Sequence, residues 1–340
     1  MHSSSDETRR AFLVRCALAT GGYAFARLAR AAESADLPIA ASETDGARIT
    51  LRRAGAFRIL QVTDIHFYNG KAPRHAPENA ATIKTLTQLV AQTQPDMLMV
   101  TGDLWPNNRD GMGEQYMRYA IEQFESLGVP WGYVWGNHDE LPDFAVGHKA
   151  FAEAKNSLYR GAASDGNYVI DVMTQDGKRV WQLVCLNSKV EGLGSEQQAW
   201  LRALAERDRQ PVHRLAFYHI PLKQYDDVWT SGAATGFKAE KVCLEKEDGS
   251  TLPFLKALGV KAGFCGHDHV NDYSGVVDGV ELVYGRATGT GGYGIPHLRR
   301  GGKLITLSRW TGGYRWVSVT EDGKKWHPKR GERIDETKPE

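Results

Sequence analysis

Cysteine is scarce in this chain, with four residues in 340. That excludes a fold stapled by many disulfides. Long apolar runs are missing too, and no stretch reaches the roughly 18 residues that a membrane span needs. Neither sign of charge dominates: 42 lysines and arginines face 41 aspartates and glutamates, for a formal net charge of +1. A dedicated nucleic-acid binder needs clustered positive charge, so none is expected as a partner. A disordered chain needs strong net charge and few apolar residues, and 41% hydrophobic content argues against it. The length allows one large domain or two smaller ones. Glycine is plentiful, at 36 residues. It gathers beside short polar motifs, where the backbone must turn sharply.

The N-terminus reads as an address. Thr8-Arg9-Arg10-Ala11-Phe12-Leu13 precedes a broken apolar stretch from Ala11 to Ala26, and Ala29-Arg30-Ala31 offers small residues for cleavage. This resembles a twin-arginine export signal over residues 1–31. It implies passage through the twin-arginine machinery to the periplasm, with no stable membrane anchor. Arg15 and Arg27 also suit an ordinary amphipathic helix, and the protein then stays in the cytoplasm. Cys16 lies inside this segment, and the preceding Arg15 does not fit a lipoprotein cleavage site. Cys185, Cys243 and Cys265 remain, enough for one internal disulfide at most, with the pairing open.

Residues 32–55 form a polar lead-in without clear periodicity. Strand and helix patterns then alternate. Strands are expected at Arg58–Thr63, Met97–Thr101, Trp131–Trp135, Tyr168–Met173, Val180–Leu186, Leu215–His219 and Ala262–Cys265. Helices are expected at Glu78–Gln92, Glu114–Leu127, Phe144–Asn156, Ser195–Glu206 and Leu252–Leu258, with a capping box between Ser195 and Gln198. From Asp272 to Thr320 the pattern is all strand, at Asp272–Val277, Gly279–Tyr284, Lys303–Arg309 and Tyr314–Thr320. Residues 321–340 read as a charged, loose tail. Such alternation predicts an α/β fold with mixed sheets.

Five short polar motifs sit just after predicted strands. They are Asp64-Ile65-His66, Gly102-Asp103, Gly136-Asn137-His138-Asp139, Tyr218-His219 and Gly266-His267-Asp268-His269. Open α/β sheets place their sites at strand ends. Residues two apart in extended backbone point the same way, so Asp64 can meet one ion with His66, and His267 can do so with His269. Carboxylate, imidazole and amide oxygen without thiolate suit divalent metals of hard or borderline character. Asp64, His66, Asp103, Asn137, His219, His267 and His269 offer seven donors. One ion rarely takes so many, whereas two ions sharing one aspartate fit. Each motif alone is weak; all five in order are specific.

Together they resemble the signature of the calcineurin-like metallophosphoesterase superfamily, over roughly residues 56–320. The likeness is closest to the non-purple relatives of purple acid phosphatases. It rests on Leu60–His66, Phe217-Tyr218-His219-Ile220-Pro221 and Gly266–Tyr273, with echoes at Tyr293-Gly294 and Arg299-Arg300. The resemblance implies an α/β fold: a four-layer sandwich of two mixed sheets flanked by helices. It places Asp64, His66 and His269 on one metal, Asn137, His219 and His267 on a second, and Asp103 between them. Iron, manganese and zinc all suit these donors. The implied reaction is hydrolysis of phosphate monoesters by in-line attack of a metal-bridging hydroxide. His138 would act as acid or transition-state stabiliser. A phosphodiesterase or nuclease on the same core is the alternative, and a non-catalytic metal- or phosphate-binding protein a more distant one. Pro106 stands where purple enzymes carry a tyrosine, so a colourless protein is expected.

Other residues admit two readings. Arg74 with His75, and Asn107, Asn108 and Arg109, can reach a substrate or sit in solvated loops. His297 can touch substrate from a glycine-rich stretch. Asp226–Ser250 can form a specificity loop or a plain excursion. Arg299, Arg300, Lys303, Arg309 and Arg315 read as a solvated basic strand face, Trp131 and Trp135 as core. Asp139 is either support for the site or purely structural.

Overall fold

The computed structural model describes residues 46–51, 56–68 and 73–337. The expected export signal and most of the lead-in lie outside the described residues, and every described element belongs to the unit Ile39–Glu340. Its elements run β1 (Gly46–Thr50), β2 (Ala56–Val62), α1 (Ala76–Thr93), β3 (Met97–Thr101), α2 (Gly113–Ser126), β4 (Trp131–Val134) and α3 (Phe144–Glu153). Next come β5 (Tyr168–Met173), β6 (Arg179–Cys185), α4 (Ser195–Arg207), β7 (His213–Phe217), α5 (Gln224–Thr230), β8 (Thr235–Lys238), α6 (Leu252–Ala257) and β9 (Val260–Cys265). The last are β10 (Asn271–Val277), β11 (Val280–Tyr284), β12 (Gly301–Ser308), β13 (Tyr314–Thr320), β14 (Lys325–Trp326) and β15 (Arg333–Asp335).

Two mixed sheets result, in the orders β1-β5-β6-β7-β9-β11-β10-β8-β15 and β14-β13-β12-β2-β3-β4. In the first, β6, β7 and β9 run parallel side by side; in the second, β2, β3 and β4 do. Period-2 side chains explain the layering. Along β6 and β7, Leu183, Cys185, Leu215 and Phe217 share a core with Ile59, Leu98 and Val100 of the other sheet. Their alternates Val184 and Ala216 join Leu201, Leu204, Val228 and Leu255 from α4, α5 and α6. β3, Met-Leu-Met-Val-Thr, is buried along its whole length because both its faces are covered. Helix α1 opens on Pro77 and Glu78, which suit a first turn, and buries Leu86, Leu89, Val90 and Thr93 at helical spacing. Each fully buried leucine or phenylalanine contributes about 1.5–3 kcal/mol.

Several expectations change. The tail is not loose: β15 pairs parallel with β8, and Asp335 accepts a hydrogen bond from the Trp229 indole at 3.0 Å. The lead-in supplies β1, which pairs with β5. Both partners are remote in sequence, so local pattern gives no sign of them. Asp226–Ser250 is not a simple loop, since it carries most of α5 and all of β8. The Ser195–Gln198 box does not form. Gln197 Oε1 accepts from Gly194 N–H instead, and Gln198 reaches Ser250. Cys185, Cys243 and Cys265 are all free. Lys303 departs from the solvated reading: it is wholly buried on Asp272. Among the described residues no helix is long and apolar enough to cross a membrane.

Candidate metal centre

The five motifs meet at one edge. Asp64 and His66 follow β2, Asp103 follows β3, and Asn137 and His138 follow β4, all from one sheet. His219 follows β7, and His267 and His269 follow β9, from the other. Adjacent parallel strands bring their ends together, which the long sequence separations between the motifs would not suggest.

The turns that do this are tight. Asp64, His66, Asp103 and His267 all hold left-handed backbone, with φ of 54°, 49°, 52° and 78°. Such conformations cost a non-glycine residue about 1–3 kcal/mol each and persist only where their surroundings impose them. Cross-links impose them here: Ile65 and His66 N–H both donate to the Asp103 carbonyl, at 2.8 and 3.0 Å. Gly136 is required by close approach, because a β-carbon there would fall on the backbone nitrogen and carboxylate of Asp103.

Asp139 holds the turns. It is fully buried and accepts four hydrogen bonds, from Leu104 N (2.7 Å), Trp105 N (3.2 Å), the Tyr133 hydroxyl (2.7 Å) and Gly136 N (2.8 Å). It thereby fixes the loop bearing Asp103 to the loop bearing Asn137 and His138. Burial, with the Asp103 charge nearby, pushes its carboxyl up to about 7.

Ligand-capable atoms of Asp64, His66, Asp103 and His269 lie within 4.8 Å of one another, as do those of Asp103, His219 and His267. Asp103 belongs to both groups. Its Oδ2 faces His66 Nε2 at 3.7 Å and its Oδ1 faces His219 Nε2 at 3.2 Å. Asn137 Oδ1 stands 2.9 Å from the same His219 nitrogen. His267 turns Nδ1 toward it at 3.2 Å. His269 Nε2 lies 3.3 Å from both Asp64 Oδ1 and His66 Nε2.

Ring orientation is set from behind. The Nδ1 of His219 lies 2.7 Å from the Thr101 carbonyl, and that of His269 lies 2.9 Å from the Tyr293 carbonyl. A carbonyl only accepts, so each Nδ1 carries a proton, and in the neutral ring each Nε2 presents a lone pair inward. Lone pairs of nitrogen, carboxylate and amide oxygen therefore face one another across a few ångströms. A cation between them relieves that arrangement; without one, protonation of the imidazoles beside the two carboxylates does so. Asp64 makes the same point: among the described residues, neither of its buried oxygens accepts a hydrogen bond. Burial would raise its carboxyl, but His269 and His219 hold it down to about 2. Asp103, against the same burial, is held well below the ordinary range by His219, His66 and His138. The residues present fit divalent metal ions.

His138 sits differently. Its backbone N–H donates to Asp103 Oδ1 at 3.0 Å, while its ring is 36% exposed with Nε2 4.0 Å from Asp103 Oδ2. It thus fronts the cluster and keeps one side open.

Over residues 57–271 the sequence matches the Calcineurin-like phosphoesterase family model. The chain belongs to that family. It is 27% identical to the "Probable inactive purple acid phosphatase 28" of Arabidopsis thaliana over 318 residues, covering 80% of each chain. With "Phosphatase DCR2" of Saccharomyces cerevisiae it is 24% identical over 271 residues, 68% of this chain and 47% of that one. A dimetal phosphatase from Danio rerio superposes with a TM-score of 0.52 at 13% identity, covering 77% of this chain and 98% of the other, a likeness of fold. The two mixed sheets and their helices are thus the metallophosphoesterase fold.

Other expected residues stay apart from the cluster. Arg74 Nε donates to His75 Nε2 at 2.9 Å, and the His75 ring stacks on Tyr68. Asn108 Oδ1 accepts from Gly113 N at the start of α2. His297 pairs with Glu336 at 2.7 Å, and Arg299 pairs with Glu321 and Asp322. Trp131 and Trp135 are core. Arg300 is nearer the site, donating to the carbonyls of Gly292 and Tyr293 and so bracing the segment that orients His269. Sequence reasoning missed the Thr101 carbonyl, which carries no side-chain signal. Tyr293 enters that reasoning only as an echo of the family pattern; its ring stacks on His269 at 4.1 Å, with its hydroxyl donating to Glu240.

Proposed function

We propose that this protein is a binuclear metal-dependent phosphomonoesterase. The observation that carries the reading is the pair of donor groups sharing Asp103, with the half-open His138 ring in front. Asp64, His66 and His269 would hold one ion, Asn137, His219 and His267 the other, and Asp103 both. Iron, manganese and zinc all suit these donors. When bound, two such ions supply an activated water and positive charge for a phosphate. Carbonyls of Thr101 and Tyr293 keep the ligand rings in one tautomer. Asp139 holds Asp103 and His138 in register. His138 donates a proton to the leaving oxygen or steadies the equatorial charge.

Phosphate attraction then comes from the site and not the surface. Without residues 1–31, which hold five arginines and two acids, 37 basic residues face 39 acidic ones. That balance supports a small or protein-bound phosphate ester as substrate, with no nucleic-acid partner. Export through the twin-arginine machinery to the periplasm belongs to the same proposal and rests on Arg9-Arg10 and the apolar stretch after them. Pro106 in place of a tyrosine supports a colourless protein.

The test is metal analysis of purified protein, then turnover of p-nitrophenyl phosphate and its bis-ester. Two metals per chain and faster monoester turnover are expected. Faster diester turnover favours a phosphodiesterase; metal without turnover leaves a binding protein, as the word "inactive" in the Arabidopsis name would suggest for that relative. His138→Ala should retain metal and lose about 10²- to 10⁴-fold in rate.

A further inference from the structure

His267 has a second face. Its Nδ1 turns toward His219, yet its Nε2 is buried and, among the described residues, has no hydrogen-bond partner. The side chain is only 9% exposed. Buried polar atoms are rarely left unpaired, because losing water without a replacement costs about 1–3 kcal/mol.

That nitrogen points at Glu245 Oε1, 4.0 Å away, and Glu245 Oε1 lies 3.6 Å from the Cys243 thiol. Cys243, Glu245 and His267 each offer a ligand-capable atom within 4.8 Å of the others. Donors on a tetrahedral ion with bonds of about 2.0–2.3 Å stand roughly 3.5 Å apart, so small rotations of two exposed side chains would close the set. Cys243 N–H points at both oxygens of Asp268, each 3.3 Å away, which pins the loop beside the His267 turn. The nearby Lys246 is turned away to Glu191. Cys243 is exposed, so an ion can approach from solvent.

We infer that Cys243, Glu245 and the Nε2 of His267 form a further metal site, for a borderline-soft divalent ion of the zinc class. Thiolate with imidazole and carboxylate selects such an ion over magnesium or calcium. The shared ring ties this site to the donor groups around Asp103, so in that respect the inference rests on the binuclear reading. With Nδ1 committed to the other cluster, an ion on Nε2 displaces that nitrogen's proton to solvent and leaves a shared imidazolate, which changes the charge at the other cluster. Zinc beyond the first two equivalents therefore slows turnover.

The experiment titrates purified full-length protein with Co²⁺, monitored by near-ultraviolet absorption and bound-metal analysis. No cysteine belongs to the binuclear donor set, and Cys185 and Cys265 are buried. A thiolate-to-cobalt charge-transfer band accompanying a third equivalent is expected. Cys243→Ser should abolish the band and the third equivalent while the first two stay. Glu245→Gln should weaken the third equivalent by about tenfold or more. Two equivalents without a band, or a band that survives Cys243→Ser, overturns the site and spares the binuclear reading. Failure to bind any cobalt overturns both. In parallel, Cys243→Ser should raise the zinc concentration that halves turnover by about tenfold; equal inhibition of both proteins counts against the shared ring.

Discussion

Two buried aspartates, Asp272 in β10 and Asp64 at the end of β2, stand in opposite surroundings. Asp272 is wholly buried between the sheets and saturated: Lys303 Nζ donates at 2.6 Å, Arg286 Nε at 2.7 Å, and Ser318 Oγ at 2.9 Å. Asp64 is as deeply buried, yet among the described residues no donor bonds either oxygen. A buried carboxylate needs compensation for lost water. Asp272 has it from the protein's own cations, so it cements β10 to β12 and β13. Asp64 has it only from the neighbouring imidazoles of His269 and His219, with no hydrogen bond to either oxygen among the described residues, and stands where an outside cation would complete it. The difference separates a structural acid from a ligand acid by partners alone, since burial and charge are the same.

The sharpest way to break this contrast is to neutralise each acid in turn. Asp64→Asn should lower turnover by roughly 10³-fold or more, because several kcal/mol of metal-borne stabilisation go with the ligand. Its metal-free form should lose less stability than Asp272→Asn does. Denaturant melts of both variants in chelator decide this, and equal losses would erase the distinction.

Asp272→Asn should cost about 3–4 kcal/mol, since it strands Lys303 and Arg286 in the interior. Metal content per folded molecule should stay at the wild-type value. Finding metal lost from the folded fraction would mean that the ionic cluster also shapes the site.

Chelation comes next in size. Ions that bind only the folded chain stabilise it by about 2.7 kcal/mol at a hundredfold excess over the dissociation constant. Chelator should therefore lower the thermal midpoint of the wild type and of Asp272→Asn, but barely that of Asp64→Asn. Calorimetry with and without chelator measures it.

The smallest effect is an acid limb. Burial would raise the Asp272 carboxyl, but Lys303 and Arg286 hold it below the ordinary 3.8. A depressed pKa means the unfolded chain binds the proton more readily. The contribution is therefore complete above the unfolded value and fades as pH falls through the folded one. Stability curves taken in chelator below pH 5 should drop more steeply for the wild type than for Asp272→Asn. Parallel curves would deny Asp272 its part in acid unfolding.

Much of the site was legible because its chemistry is written in short local motifs. Asp64-Ile65-His66 and Gly266-His267-Asp268-His269 carry paired donors, and glycine marks the turns. Strands such as Met97–Thr101 were legible from an unbroken apolar run. β8, β15 and α5 were not, since their pattern is short and their partners are far along the chain. The four positive-φ residues left no trace either, because aspartate and histidine do not advertise left-handed backbone as glycine does.

The sequence by itself determined which donors exist, in what order, and that their number exceeds one ion. It also determined that no thiolate belongs to the main set. Only the tertiary structure decided which atoms face inward. The Thr101 and Tyr293 carbonyls fix two tautomers, Asp139 aligns two loops, and Asp103 is shared because β2, β3 and β4 end beside β7 and β9. Those are through-space facts, set by strand pairing and burial, and no linear pattern encodes them.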